Sequence, residues 1–137
     1  MTINVEDTER PVLLANSVYR VELVEWKKHW LFRMPKLVMV FALVDSGEHN
    51  GALLKAYYNV EWTGDAFRAG WKSYFCRDYQ HCFGQVNSIE SYDMKRFKDV
   101  IVKAEVTTVI TDAEDRELSP VNQYSRISRL VGICDRN

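Results

Sequence analysis

Two apolar runs, residues 18–24 and 37–44, lie on either side of a segment that reads Trp26-Lys27-Lys28-His29-Trp30-Leu31-Phe32-Arg33-Met34-Pro35-Lys36. The runs are rich in valine and other strand-favouring residues, and the second is too short for a typical helix. Paired with each other, they predict a long β-ribbon over 18–60 whose connecting loop carries four cations and three large rings. A folded domain normally buries Trp and Phe. Rings placed beside cations in a loop therefore suggest a surface on which flat bases stack while Lys and Arg meet phosphates.

Side-chain parity refines the first run. Tyr19, Val21 and Leu23 should face a core, leaving Arg20, Glu22, Val24 and Trp26 outside, unless a bulge near Val24-Glu25 shifts the phase. The unbroken run Leu37–Val44 reads as a central strand, followed by a turn at 45–51 with Gly47 and Gly51 supplying positive φ. Residues 52–60 resume as a strand with Leu54, Ala56, Tyr58 and Val60 inside and Lys55, Tyr57 and Asn59 outside.

Thr63-Gly64-Asp65 then resembles a helix start. Phe67, Trp71, Tyr74, Phe75, Asp78, Tyr79, Cys82 and Phe83 follow at steps near three and four. This spacing predicts an amphipathic helix over 65–82, closed by Gly84. Its ring stripe is read as a plug for one end of a barrel rather than as a ligand platform. A short helical turn is expected within 91–97, a strand at 100–110, a polar turn at 112–120 and a last strand at 124–131. Residues 1–16 are expected to form a loose arm, with the 12–14 patch pinned to the domain or to a partner subunit.

Length and composition restrict the function classes. The 137 residues suit one domain, and 47% hydrophobic with 27% charged residues is ordinary for a globular fold. The formal net charge of -1 gives no general attraction to nucleic acid, so distribution matters more than the sum. Residues 18–37 hold five Lys/Arg against two Glu. Three cysteines form no disulfide framework, no basic-then-apolar leader opens the chain, and no apolar run nears the ~20 residues of a membrane span. A cytoplasmic protein with free thiols, not embedded in a membrane, is expected.

Catalysis is not expected: no phosphate-binding loop, dinucleotide fingerprint or carboxylate pair is present. The Cys76, His81 and Cys82 spacing suits zinc poorly, so neither metal nor other cofactor is predicted.

Strand, strand, strand, helix, strand, strand is the order of the OB-fold, a five-stranded, partly open barrel with its helix between strands 3 and 4. The predicted class is therefore mainly β with one main helix, a single OB-fold-like domain over 1–137. The run Phe41-Ala-Leu-Val-Asp-Ser-Gly-Glu-His-Asn-Gly-Ala-Leu-Leu-Lys-Ala-Tyr-Tyr resembles the apolar strand, glycine turn and ring-bearing strand of OB-fold single-stranded-DNA-binding proteins of phages, plasmids and integrated mobile elements. Tyr124-Ser-Arg-Ile is similar to their last strand. The flexible linker and acidic tip ending in Phe of the cellular bacterial proteins are absent.

The resemblance implies non-catalytic binding of single-stranded DNA, or RNA. A homo-oligomer is expected because small barrels expose edges, with the 12–14 patch or the last strand pairing across a two-fold axis, and a replication or recombination protein is a further expected partner. On the residues themselves, Trp26, Trp30, Phe32 and Tyr57 are the candidate stacking rings. Arg20, Lys27, Lys28, Arg33, Lys36 and Lys55 are the candidate phosphate contacts. The alternative is a protein-interaction accessory barrel of a phage or mobile element that docks through the same aromatic and basic loop, since Trp and Arg also dominate protein interfaces.

Overall fold

The computed structural model describes residues 13–31, 33–45, 47–111, 114, 116–118 and 124–134. Seven strands and one α-helix occur among them: β1 (Ser17–Leu31), β2 (Met34–Leu43), β3 (Leu53–Tyr58), β4 (Glu61–Thr63), β5 (Ala66–Arg68), α1 (Tyr74–Phe83), β6 (Ile101–Val109) and β7 (Tyr124–Cys134). Short 3-10 turns occupy Gly47–His49 and Met94–Asp99. Five strands form one antiparallel sheet in the order β3-β2-β1-β6-β7, and β4 and β5 form a separate hairpin.

The ribbon is longer than its composition suggested. β1 and β2 pair out to Leu31 opposite Met34, so the expected loop at 26–36 is almost entirely strand. Arg33, at φ 65°, stands in the short connection between them, and Phe32 lies outside the described residues. β2 fills an interior position between β1 and β3, and Leu37 through Phe41 are buried on both faces, which explains its unbroken apolar run. The turn after it uses Asp45, Gly47 and Gly51 at positive φ.

The helix begins later than its spacing predicted. Thr63-Gly64-Asp65-Ala66 is a hairpin corner: Thr63 pairs with Ala66, and Gly64 takes φ 62°. The Trp62 and Phe67 rings meet edge-on across that hairpin at 5.5 Å, a cross-strand pair that favours strand over helix. The true N-cap is Ser73, whose Oγ accepts from the Cys76 N–H at 3.1 Å. Gly84 closes the helix at φ 78°, as expected.

Phe75 and Tyr79 turn inward from α1, with Tyr58, Phe67, Tyr92 and Phe97 edge-on to one or other of them at 4.9–5.6 Å. Those members of the ring stripe are core. Trp71 and Tyr74 are not; both are exposed.

The sheet's ladder does not close, and β3 and β7 are its edges. They nonetheless come near each other, and α1 spans the seam. Asp78, fully buried, accepts from the Tyr58 hydroxyl of β3 at 2.7 Å and from the Leu130 N–H of β7 at 3.0 Å. His81 Nδ1 lies 2.8 Å from the Leu130 carbonyl. Helix side chains thus satisfy backbone groups that a neighbouring strand would otherwise have paired. Bulges in β7 opposite Lys103/Ala104 and Glu105/Val106 bend the strand along this stretch.

At the N-terminal end, Leu14 is buried and its N–H donates to Ser125 Oγ at 2.8 Å, so this part of the apolar patch is pinned to the domain. The rest of the expected arm, residues 1–12, lies outside the described residues. No helix among the described residues is long and apolar enough to cross a membrane.

Candidate functional site

The bulge at Val24 decides where the candidate residues point. Leu23 pairs with Phe41 and Glu25 with Val40, so Val24 has no partner and the parity of β1 reverses. Trp26 consequently sits opposite Met39 and packs against the core, with Lys98 Nζ 5.2 Å from its ring centroid. It does not share the outer face with Arg20. Arg20 lies at the other end of the strand, opposite Lys103, in an exposed ion pair with Asp45 at 3.3 Å.

Lys28 and Trp30 follow Trp26 on the same side of the ribbon. Lys28 donates to the Gly64 carbonyl at 3.1 Å, and its ammonium lies 5.2 Å from the Trp62 ring and 5.8 Å from Trp30. This lysine therefore ties the ribbon to the β4–β5 hairpin rather than standing free for phosphate. Trp30, near the end of the ribbon, is 62% exposed.

The opposite, outer face collects the other candidates in cross-strand rows. Lys27, Val38 and Tyr57 form one row, and Glu25, Val40 and Lys55 the next. Val38 and Val40 are buried although they belong to this outer face, lying beneath the long side chains on either side. Lys36 pairs with His29 toward the tip, and its ammonium bonds Asn59 Oδ1. Lys27 also contacts Glu25 at 3.2 Å. Lys55 and Arg33 are exposed and carry no ion pair among the described residues.

Across the seam, β7 completes the face. Ser125 and Ile127 point inward and are buried, so Tyr124 and Arg126 point outward. They stand close enough to Tyr57 to act on its hydroxyl: burial chiefly, and Tyr124 secondarily, push its pKa up, while Lys27 and Arg126 draw it down. Two rings, each 37% exposed, and two cations are therefore gathered where β3 faces β7. Sequence reasoning missed Tyr124 and Arg126 as site residues. Their alternation with Ser125 and Ile127 marked them as outward, but their proximity to Tyr57 depends on the strand order.

A shallow, open depression of about 270 Å³ adjoins this face, lined by Asn59, Val60, Glu61, Arg68, Ala69, Gly70 and Ser73. Elsewhere, burial and then the Asp78 charge push the Cys82 thiol up to about 12. Among the described residues, no three His, Cys, Asp or Glu side chains are grouped to hold a metal ion.

Comparison with known proteins finds no family model, no curated protein and no solved structure that matches this chain.

Proposed function

We propose that this chain is a non-catalytic, OB-fold-like domain that binds single-stranded nucleic acid, DNA in the first instance, across the outer face of β2, β3 and β7. The observation that carries the reading is the gathering of Tyr57 and Tyr124, both half-exposed, with Lys27 and Arg126. Bases offer π-faces to such rings and the backbone offers phosphates to the cations. The fold supports it as well: with the small hairpin set aside, the sheet order is 3-2-1-4-5, the order of an OB barrel opened between its third and fifth strands. Arg33 in the ribbon's connection then stands at one end of the face. A cytoplasmic setting suits the free thiols, and the binding needs no cofactor.

Each base–ring stack is worth about 1–3 kcal/mol, so two or three rings with supporting cations supply micromolar affinity without sequence reading. Lys27, Arg33, Lys36, Lys55 and Arg126 offer about five phosphate contacts. At ~0.7 per contact, the log of affinity should fall against log salt with a slope near -3.5. Titration with oligo-dT should quench tryptophan and tyrosine emission in that salt-dependent way. Unchanged emission at low salt with excess oligonucleotide would overturn the reading. A protein partner docking on the exposed Trp30 would instead bind with little salt dependence.

A further inference from the structure

We propose that the corner leading into α1, formed by Trp71, Lys72, Tyr74 and Arg77, is a second contact site for the same single strand, reached over the end of β3. This inference rests on the nucleic-acid reading above and extends it to Trp71 and Tyr74, two rings that the sequence spacing assigns to the plugging stripe of the helix.

The corner is a second set of rings and cations in the open. Trp71 is 57% exposed and Tyr74 72% exposed, comparable with the ribbon-tip Trp30. Neither ring is needed for the core, which Phe75 and Tyr79 fill from the other side of the same helix. The Arg77 guanidinium lies over Tyr74, 4.7 Å from its centroid, and its Nε is anchored on Asp78 at 2.9 Å. A stacked ring and a fixed cation are thus preorganised side by side, and exposed Lys72 adds a second positive charge.

The depression described above makes the corner continuous with the outer face. Its lining includes Asn59, the residue bonded by Lys36 of the outer face, together with Gly70 and Ser73, which flank Trp71 and Lys72 in the chain. The carboxylate that enters it, Glu61, is paired with Arg68 at 3.1 Å, so the path is not closed to an anion by an unpaired acid. A strand whose bases lie on Tyr57 can therefore run past Asn59, through the depression, and place further bases on Trp71 and Tyr74. Cations on both sides of the path favour a polyanion as occupant.

The test compares strand lengths. Labelled oligo-dT of about six nucleotides should fit the outer face alone, whereas one of about twenty should reach both sites. For the Trp71→Ala/Tyr74→Ala variant we expect affinity for the short strand to stay unchanged and affinity for the long strand to fall at least about fivefold, the lower bound for one lost stack. Lys72→Gln should lower the salt slope by about 0.7 on the long strand only. Both rings are exposed, and an unchanged thermal melt confirms that the fold is retained. If the variant and the native chain gain equally from added length, the second site is refuted while the first stands. If the variant loses equally on both lengths, the corner is not a separate site and the inference also fails. If the native chain does not bind the short strand, the reading of the outer face fails, and this extension fails with it.

Discussion

Removing the Asp78 carboxylate should destabilise the protein more than any other single polar substitution at the seam. Its Oδ2 accepts from both Tyr58 and Leu130, and its Oδ1 accepts from Arg77 Nε at 2.9 Å. Asp78→Ala leaves two buried donors, the Tyr58 hydroxyl and the Leu130 N–H, without partners. An orphaned buried group costs about 1–3 kcal/mol, so about 4 kcal/mol is expected for the two together. With m at about 2 kcal/mol/M for urea, the midpoint should fall by about 2 M without a change in slope. Asp78→Asn keeps one oxygen for both donors but turns an amide toward Arg77, and should cost about 2 kcal/mol. Tyr58→Phe removes one donor and leaves the carboxylate bonded to Leu130 and Arg77, for a cost of about 1.5 kcal/mol. Urea unfolding followed by tryptophan emission measures all three. If Asp78→Ala lies within about 1 kcal/mol of the native chain, the carboxylate does not hold the seam and the reasoning fails. Should Asp78→Ala prove too unstable to purify, the order Tyr58→Phe less costly than Asp78→Asn still decides the matter.

Alkali should weaken the fold through the same region. Burial, then Asp78, raise the Tyr58 hydroxyl well above its ordinary value, and Cys82 rises from 9.0 to about 12. Between these limits the folded chain holds protons that the unfolded chain has lost. Stability is therefore full below about pH 9 and falls as pH rises through about 12, which unfolding midpoints across that window will show. Tyr57→Ala and Tyr124→Ala should each weaken oligo-dT binding about tenfold with little loss of stability, whereas Trp26→Leu should lower stability by about 1–2 kcal/mol and leave binding unchanged; the reverse pattern in fluorescence titration would place the stacking rings wrongly. Gly64→Ala should cost about 1 kcal/mol in thermal or urea unfolding, because its φ of 62° strains an L residue even though the space around it is open.

Strand patterning and turn glycines are legible locally, whereas the helix start and the grouping of site residues are not. The valine-rich Leu37–Val44 run, the alternation of Leu54, Ala56 and Tyr58, and the positive φ of Gly47 and Gly51 all follow from short-range rules, and the structure has them. The bulge at Val24, which the parity of the first run leaves open, reverses the strand's phase and brings Trp26 inside. The predicted helix starts too early because Phe67, Trp71, Tyr74 and Phe75 fall at helical steps although Phe67 belongs to a hairpin and Ser73 caps the helix. A Thr-Gly-Asp-Ala sequence serves a hairpin corner as well as a helix cap, and only the Trp62–Phe67 contact across the hairpin separates the two. The rings and cations of 26–36 were grouped because they are neighbours in sequence. A strand sends neighbours to opposite faces. Lys28 and Trp30 therefore leave Lys27 and Lys36, and Tyr57 finds its companions in β7.

The near-neutral charge of the whole chain is an average over unevenly placed groups. Asp45 is taken up by Arg20, Glu61 by Arg68 and Glu105 by Arg129, all in pairs away from the Tyr57 row. On the outer face, the rows of Lys27, Lys36 and Lys55 hold one carboxylate among the described residues, Glu25, which is bound to Lys27, and Glu22 stands beyond them toward Arg20. A phosphate approaching at the ~8 Å screening length of physiological salt meets that local excess and not the average. Glu25→Gln therefore sharpens the case. It removes the carboxylate bound to Lys27, so a polyanion-binding face should gain affinity by a few-fold at low salt, with the gain shrinking as salt rises. A face built for an uncharged protein partner should show no such gain, and fluorescence titration at two salt concentrations distinguishes the two outcomes.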